Sequence, residues 1–232
     1  MKLNKIDLNW CVRRLPAELR RLMKKEEIVV AGGFVRACVA GEKINDVDVF
    51  TYGKEHAKEM AQHIADCYKK KPIKTDNAIT IVCHPTPIQF ITRWTYDSPV
   101  DVLSSFDFTV CAAAFWFDHY RQEWCSACTE NFYQDLAAKR LQYTYPIRDE
   151  EAGGSILRVL KYYQRGYRIT LDSFAGVISR VAAKVEYDRR IINSDGVVID
   201  SEKLCRVITG LLYEVDPNVD PDHILHENPN AD

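Results

Sequence analysis

Residues 28–51 constrain the fold of this 232-residue chain more than any other stretch. They read IVVAGGFVRACVAGEKINDVDVFT: an apolar run ends in two glycines, a segment of helical spacing follows, and two aspartates then alternate with valines. Alternation with a period of two is typical of a strand that buries one face. The stretch therefore predicts a strand, a tight turn, a helix and a second strand, with Asp46 and Asp48 on the same face of that second strand.

Patterns elsewhere in the first 150 residues predict that helices and strands alternate. Apolar residues recur at helical spacing, and we expect helices over 16–25, 34–40, 54–68 and 131–139 and a helical turn over 99–103. Short apolar or alternating runs predict strands over 28–31, 46–50, 78–82, 88–92, 109–117 and 124–127. Interleaved helices and strands are typical of a sheet domain of the α/β or α+β class.

Residues 151–213 differ from this pattern because helical periodicity dominates there. We expect helices over 155–167, 173–187 and 201–213. The final stretch is rich in Asp, Pro and Asn, a composition typical of a flexible tail. The chain is therefore expected to contain a sheet domain over 1–150, a small helical domain over 151–213 and a flexible acidic tail over 214–232.

Charge and cysteine usage narrow the class of protein. The formal net charge of -2 argues against a nonspecific nucleic-acid coat protein, which needs many Lys and Arg residues. Local clusters of Lys and Arg are still compatible with a smaller surface that binds nucleic acid. No apolar run reaches the roughly 18 residues of a membrane span, and the first residues lack the apolar core of a signal peptide. The eight cysteines are scattered, which is typical of reduced thiols, although Cys125 and Cys128 have the spacing of half a zinc site. We expect a cytoplasmic protein with no membrane partner.

The aspartate pair has a specific chemical meaning if it lies on a strand. Residues two apart on a strand lie on one face at about 6.5 to 7 Å, so Asp46 and Asp48 can aim their carboxylates at one spot. Hard oxygen ligands, few of them from the protein, suit Mg²⁺ that also binds substrate phosphates. Gly32 and Gly33 allow backbone N–H groups to approach an anion, and Arg36 is placed to pair with a phosphate. The alternative is an ordinary tight turn followed by a surface arginine, and the residues alone leave both open.

The same stretch resembles the signature of the nucleotidyltransferase superfamily that includes DNA polymerase beta. Within it, the run of Gly-Gly, Val-Arg, Gly and Asp-x-Asp is similar to the head domain of the bacterial poly(A) polymerase and tRNA CCA-adding enzyme group. Residues 106–112 (FDFTVCA) are similar to the group's Arg-Asp-Phe-Thr-Ile-Asn-Ala motif, and residues 134–136 (QDL) with Lys139 resemble its Gly-x-x-Asp-Leu-x-x-Lys stretch. Residues 156–160 (ILRVL) with 165–167 (RGY) resemble the helix that opens the group's neck. The resemblance covers about residues 26–170.

This resemblance implies a fold and a reaction. The fold is α+β: a polymerase-beta-like nucleotidyltransferase head with a mixed sheet, followed by a small helical domain. The reaction is transfer of a nucleoside monophosphate from an NTP to a hydroxyl, most directly at an RNA 3′ end with tRNA as the first candidate, using Mg²⁺ or Mn²⁺. Catalytic roles are implied for Asp46 and Asp48 as metal ligands and for Asp107 as a third carboxylate or a structural anchor. Nucleotide-binding roles are implied for Gly32, Gly33 and Arg36.

Three departures from the group's pattern keep two alternatives open. Ala37 replaces the acid of the group's Val-Arg-Asp, Gln89 lies where a further metal-binding acid is expected, and the Glu-Asp-x-x-Arg motif that selects the incoming base is missing. The acceptor can instead be a protein side chain or a small molecule, as in toxin-like members of the superfamily. The second alternative is a non-catalytic member that binds nucleotide.

Overall fold

The computed structural model describes residues 1–146, 152–184, 204–206 and 208–209. Within it the chain divides into two compact units, Met1–Ala138 and a second that begins at Lys139. The expected boundary between residues 150 and 151, most of the helix expected over 201–213 and the tail expected over 214–232 lie outside the described residues. No helix within the described ranges is both long and apolar enough to cross a membrane.

The first unit combines helices with a seven-stranded sheet. Its helices are α1 (Lys5–Arg14), α2 (Ala17–Met23), α3 (Gly33–Ala40), α4 (Lys54–Tyr68) and α5 (Phe132–Ala137), with short 3₁₀ helices at Asp101–Ser105 and Thr109–Cys111. Its strands are β1 (Val29–Ala31), β2 (Val47–Phe50), β3 (Ile73–Lys74), β4 (Ala78–Ile81), β5 (Ile88–Ile91), β6 (Ala113–Asp118) and β7 (Glu123–Cys128).

The sheet is mixed and has the strand order β3-β4-β5-β2-β1-β6-β7. Strands β2 and β5 run parallel, whereas every other neighbouring pair is antiparallel. The shortest of the central strands, β1, therefore lies between β2 and β6 and connects directly into α3. The expected α+β class with a mixed sheet is confirmed.

The two faces of the sheet are covered differently. On one face Val30, Val49 and Phe115 form a fully buried row across three strands, and Phe34 of α3 packs on Phe115 with ring centroids 6.2 Å apart. Full burial of such a side chain stabilises the fold by about 1.5 to 3 kcal/mol. The other face carries a smaller cluster made by Val29, Ala31, Phe50, Ala114 and Val102, the last from the 3₁₀ helix at Asp101–Ser105. Asp48 lies on this less covered face.

Two expectations for the first unit were wrong. The strand expected over 109–117 begins only at Ala113, because Thr109–Cys111 forms a 3₁₀ helix in which the Ala112 N–H donates to the Thr109 carbonyl at 3.1 Å. The helix α1 was not expected, yet the Asn4 side chain accepts the Asp7 N–H at 2.8 Å and begins it. The first error arises where a backbone turn interrupts an apolar run, and the second arises where a polar side chain caps a helix.

The described part of the second unit is mainly helical. Helices α6 (Ala152–Gln164) and α7 (Leu171–Lys184) overlap the expected helices over 155–167 and 173–187. A two-stranded parallel sheet, β8 (Arg140–Leu141) with β9 (Arg168–Ile169), was not expected, because two-residue strands leave no period in the sequence. The Tyr167 side chain is fully buried beside it.

Candidate active site

The aspartate pair lies on the open face of the sheet. Asp48 is partly exposed on β2, whereas Val47 and Val49 on either side of it are fully buried. Asp46 directly precedes β2 and is also partly exposed. The alternation that the sequence predicted is therefore present, and Asp48 can present its carboxylate to a ligand above the sheet.

Strand pairing places Asp48 between two informative neighbours. It lies opposite Ala31, the last residue of β1, on one side and opposite Gln89 of β5 on the other. Neighbouring strands lie about 4.8 Å apart, so Gln89 is the nearest position on β5 to Asp48. Gln89 therefore lies where a further metal-binding acid was expected, and its side chain supplies a carboxamide oxygen there.

The glycine pair joins β1 to α3 and its two members differ. Gly32 has φ +79°, a conformation that L side chains rarely adopt, and an added Cβ would lie 2.7 Å from Cε1 of Phe106. Gly33 is the first residue of α3, and an added Cβ would meet no atom within 4 Å. Gly32 is thus required by the backbone, whereas Gly33 leaves open space at the positive end of a helix dipole.

Arg36 lies on the first turn of α3 but is not a surface residue. Its side chain is only 4 % exposed, and its Nε lies 3.2 Å from a carboxylate oxygen of Glu42. An Nη1 to Sγ distance of 4.0 Å also brings it against Cys111. The surface-arginine alternative is therefore wrong, and the guanidinium is held in place by an ion pair. The neighbouring Ala37 lies where the poly(A) polymerase and CCA-adding enzyme group has an acid. It is 1 % exposed and packs as an apolar residue.

Asp107 lies in the connection between the two 3₁₀ helices and is 5 % exposed. The Phe106 ring next to it contacts Gly32, so this connection packs against the glycine turn. Among the residues that the structure describes, no group of three or more His, Cys, Asp or Glu side chains is arranged to hold a metal ion. The resemblance implied that Asp107 is either a third catalytic carboxylate or a structural anchor. Its burial favours the role of an anchor.

A second buried acid, Asp135, has a role that sequence reasoning missed. It is fully buried in α5, and its Oδ2 accepts a hydrogen bond from Thr109 Oγ1 at 2.5 Å. The two partners are 26 positions apart in the sequence, so no local pattern signals the contact. The bond ties α5 to the 3₁₀ helix that follows Asp107.

We expect Asp135→Ala to lower the free energy of unfolding by about 2 to 3 kcal/mol, because the Thr109 hydroxyl loses a buried acceptor and a void remains. Urea unfolding followed by circular dichroism measures this change. Thr109→Ser keeps the hydroxyl and is the matched control, with a loss of about 1 kcal/mol or less. Equal stability of Asp135→Ala and the wild-type protein would contradict the assigned role.

Cys125 and Cys128 do not face a common site. Cys125 and Cys128 are three residues apart on β7, so their side chains point to opposite faces, and they lie opposite Trp116 and Ala113 respectively. They cannot form the half zinc site that their spacing suggested. Burial raises the pKa of the Cys128 thiol, which favours the protonated, unreactive form.

Comparison with known proteins identifies a family. The model of a family described as "Gabija anti-defense 2 family protein" matches residues 2–139. A curated relative, "Gabija anti-defense 2" of Bacillus phage SPbetaL7, is 25% identical over 167 residues, which are 71% of this chain and 40% of the relative. The chain thus spans less than half the length of the curated relative that it matches.

Solved structures with the same fold include CCA-adding enzymes and a tRNA nucleotidyltransferase. The Thermotoga maritima CCA-adding enzyme complexed with tRNA has a TM-score of 0.55 and 21% identity, over 75% of this chain and 45% of that chain. A CCA-adding enzyme with CTP has a TM-score of 0.55 and 20% identity, over 90% of this chain and 50% of that chain. A tRNA nucleotidyltransferase with a primer tRNA and an incoming ATP analogue has a TM-score of 0.53 and 17% identity, over 70% and 49% of the two chains. These likenesses show the nucleotidyltransferase head fold.

Proposed function

The chain belongs to the Gabija anti-defense 2 family, and on that premise we propose that it is a metal-dependent nucleotidyltransferase. The proposed reaction joins an acceptor hydroxyl oxygen to the α-phosphorus of an NTP. The bond from that phosphorus to the β-phosphate bridging oxygen breaks, pyrophosphate leaves, and the hydroxyl proton is released to water. The proposed acceptor is an RNA 3′ end, with tRNA first, because the solved structures of the same fold are named as complexes with tRNA or as tRNA-processing enzymes.

The position of Asp48 carries this proposal. Its carboxylate projects from β2 next to the end of β1, where Gly32 and Gly33 turn the chain into α3. A triphosphate at the open space beside Gly33 would lie close to Asp48 and to the N-terminal turn of α3. This arrangement supports the proposed nucleotide-binding roles of Gly32 and Gly33. The proposed role of Arg36 rests on its place in the first turn of α3, where Glu42 pairs with its buried guanidinium.

The donor atoms suit Mg²⁺ or Mn²⁺. The proposed ligand set is small and consists of hard oxygen atoms: the carboxylates of Asp46 and Asp48, and the amide oxygen of Gln89 opposite Asp48. Such a set leaves the other coordination positions of the ion to water and phosphate. A divalent ion held there would neutralise phosphate charge and activate the attacking hydroxyl. The chain's own contribution would be to hold one carboxylate on β2 and the other directly before it, and to orient the phosphates through backbone N–H groups.

We expect Gln89→Glu to bind Mn²⁺ about tenfold more tightly than the wild-type protein, because it places a third carboxylate opposite Asp48. Titration with Mn²⁺ followed by electron paramagnetic resonance of the free ion measures this affinity without any turnover. Thr80→Glu is the matched control, since Thr80 lies opposite Gln89 and thus one strand further from Asp48. Equal Mn²⁺ affinities of the two variants would contradict the assigned ligand position.

Transfer to RNA is tested with each α-labelled NTP, Mg²⁺ and total tRNA. The proposal expects label on tRNA with intact 3′ ends and none on tRNA whose terminal diol has been oxidised with periodate. The variant Asp46→Asn, Asp48→Asn is the protein control. Equal labelling of oxidised tRNA would contradict a 3′-end acceptor.

A second candidate acceptor is a protein, and the anti-defense description of the family favours it. The same assay with a bacterial extract in place of tRNA would then label a protein band and leave RNA unlabelled. Nucleotide binding without label on either acceptor would favour the non-catalytic alternative, for which Ala37 and Gln89 are the motivation.

A further inference from the structure

A cavity of about 300 Å³ opens on the same face of the sheet as Asp48 but does not include it. Its floor contains Val29, Phe50 and Trp116, which lie in one row across β2, β1 and β6. Phe50 is two residues beyond Asp48, which places this row about 7 Å along the strand from the aspartate. The cavity is therefore a separate site from the proposed active site.

Aromatic rings that are already fixed by other contacts line this cavity. The Tyr52 ring stacks on His56 with centroids 4.3 Å apart and an interplanar angle of 24°. The Tyr96 ring packs edge-on against Phe50 with centroids 5.8 Å apart. Because these rings are held before any ligand arrives, binding costs little side-chain entropy.

The charged groups of the cavity are acidic. Glu27, Asp97 and Asp118 contribute to its lining, whereas no Lys or Arg does. Asp118 accepts backbone N–H groups of Tyr120 and Arg121, and its Oδ2 lies 3.9 Å from Arg121 Nε, so its charge is already paired within its own turn. Glu27 and Asp97 are exposed and make no side-chain hydrogen bond or ion pair with any residue in the described part of the chain.

We infer that this cavity binds a guanidinium group. Aromatic faces attract a planar cation by stacking and by cation–π interaction, and carboxylates accept its paired N–H donors. The carboxylates of Glu27 and Asp97 repel phosphate, which argues against a second nucleotide at this position. The volume is at the lower end of the range for ligand pockets, about 300 to 1,000 Å³, and suits a guanidinium with a short alkyl chain.

A neutral isostere separates charge recognition from simple apolar filling. The probes are n-butylguanidinium and n-butylurea, which have the same shape and differ in charge. The indole N–H signal of Trp116 in a ¹H–¹⁵N spectrum, identified with Trp116→Phe, reports binding at the cavity floor. We expect a saturable shift with n-butylguanidinium and at least tenfold weaker binding of n-butylurea.

Variants test the acidic groups. Glu27→Gln, Asp97→Asn is expected to weaken n-butylguanidinium binding at least tenfold, and both positions are exposed, so the fold is retained. Asp76→Asn, an exposed carboxylate outside the cavity, is the matched control and should bind as the wild-type protein does. Equal binding of the two probes, unchanged affinity of the double variant, or no saturable shift up to the solubility limit of the probe would overturn the inference.

The source of the guanidinium is distinguished by a further probe, N-acetyl-arginine amide. Binding of this probe as tight as that of n-butylguanidinium assigns the cavity to an arginine side chain of a protein. Binding of n-butylguanidinium alone assigns it to a free small molecule. Both outcomes support the guanidinium inference. Because Asp46 and Asp48 are unchanged in these variants, failure of the guanidinium inference would leave the proposed transferase activity untouched.

Discussion

We expect the replacement of Asp48 by asparagine to lower the rate of the proposed nucleotidyl transfer by at least about a thousandfold, which corresponds to about 4 kcal/mol at the transition state. Asparagine keeps the size of the side chain but removes the charge that holds the divalent ion. Asp48 is partly exposed and belongs to no packed core, so the thermal midpoint of the variant should stay within a few degrees of that of the wild-type protein. Initial rates with labelled NTP and a fixed acceptor measure the effect.

Asp76→Asn is the control for this experiment, because it removes the same charge from the exposed turn between β3 and β4. It should transfer at the wild-type rate. Transfer by Asp48→Asn within about tenfold of the wild-type rate would contradict the role assigned to Asp48 as a metal ligand.

Gly32→Ala and Gly33→Ala are expected to differ sharply although they are neighbours. An alanine at residue 32 must adopt φ +79° and place its Cβ 2.7 Å from the Phe106 ring, which together lower the free energy of unfolding by about 2 to 4 kcal/mol. An alanine at residue 33 meets no atom within 4 Å and begins a helix, so stability should change by about 1 kcal/mol at most. Thermal unfolding of both variants measures the difference.

Gly33→Ala also tests the phosphate site. Its methyl group would enter the open space at the start of α3, so we expect a weaker affinity for NTP in a protein of normal stability. Unchanged nucleotide affinity in Gly33→Ala would contradict the proposed phosphate position. Equal stability of the two alanine variants would contradict the structural role of Gly32.

Local periodicity was sufficient to predict the strands and the helix that carry this site. The alternation of Asp46 and Asp48 with valines, and the glycine pair before a helical segment, are short-range patterns that predict secondary structure without reference to distant residues. The fold that the motif resemblance implied is confirmed by the solved structures of the same fold.

Contacts between distant segments were not predictable in the same way. The β2–β5 pairing that places Gln89 beside Asp48 joins segments about forty residues apart. Burial of Arg36 depends on Glu42, which follows the end of α3, and helical spacing alone does not determine such a partner. The aromatic cavity is built from the starts and ends of several strands and from loops, so no single stretch of sequence signals it.

The most direct test of the proposed activity measures pyrophosphate release from each of the four NTPs in the presence of Mg²⁺ and a bacterial extract. It compares the wild-type protein with the double variant Asp46→Asn, Asp48→Asn. We expect the wild-type protein to release pyrophosphate in equal amount to the label that it transfers and to lose both activities when the metal is chelated. The double variant should form neither product above background. Equal pyrophosphate release by the double variant, or nucleotide binding by the wild-type protein without release from any NTP, would contradict it.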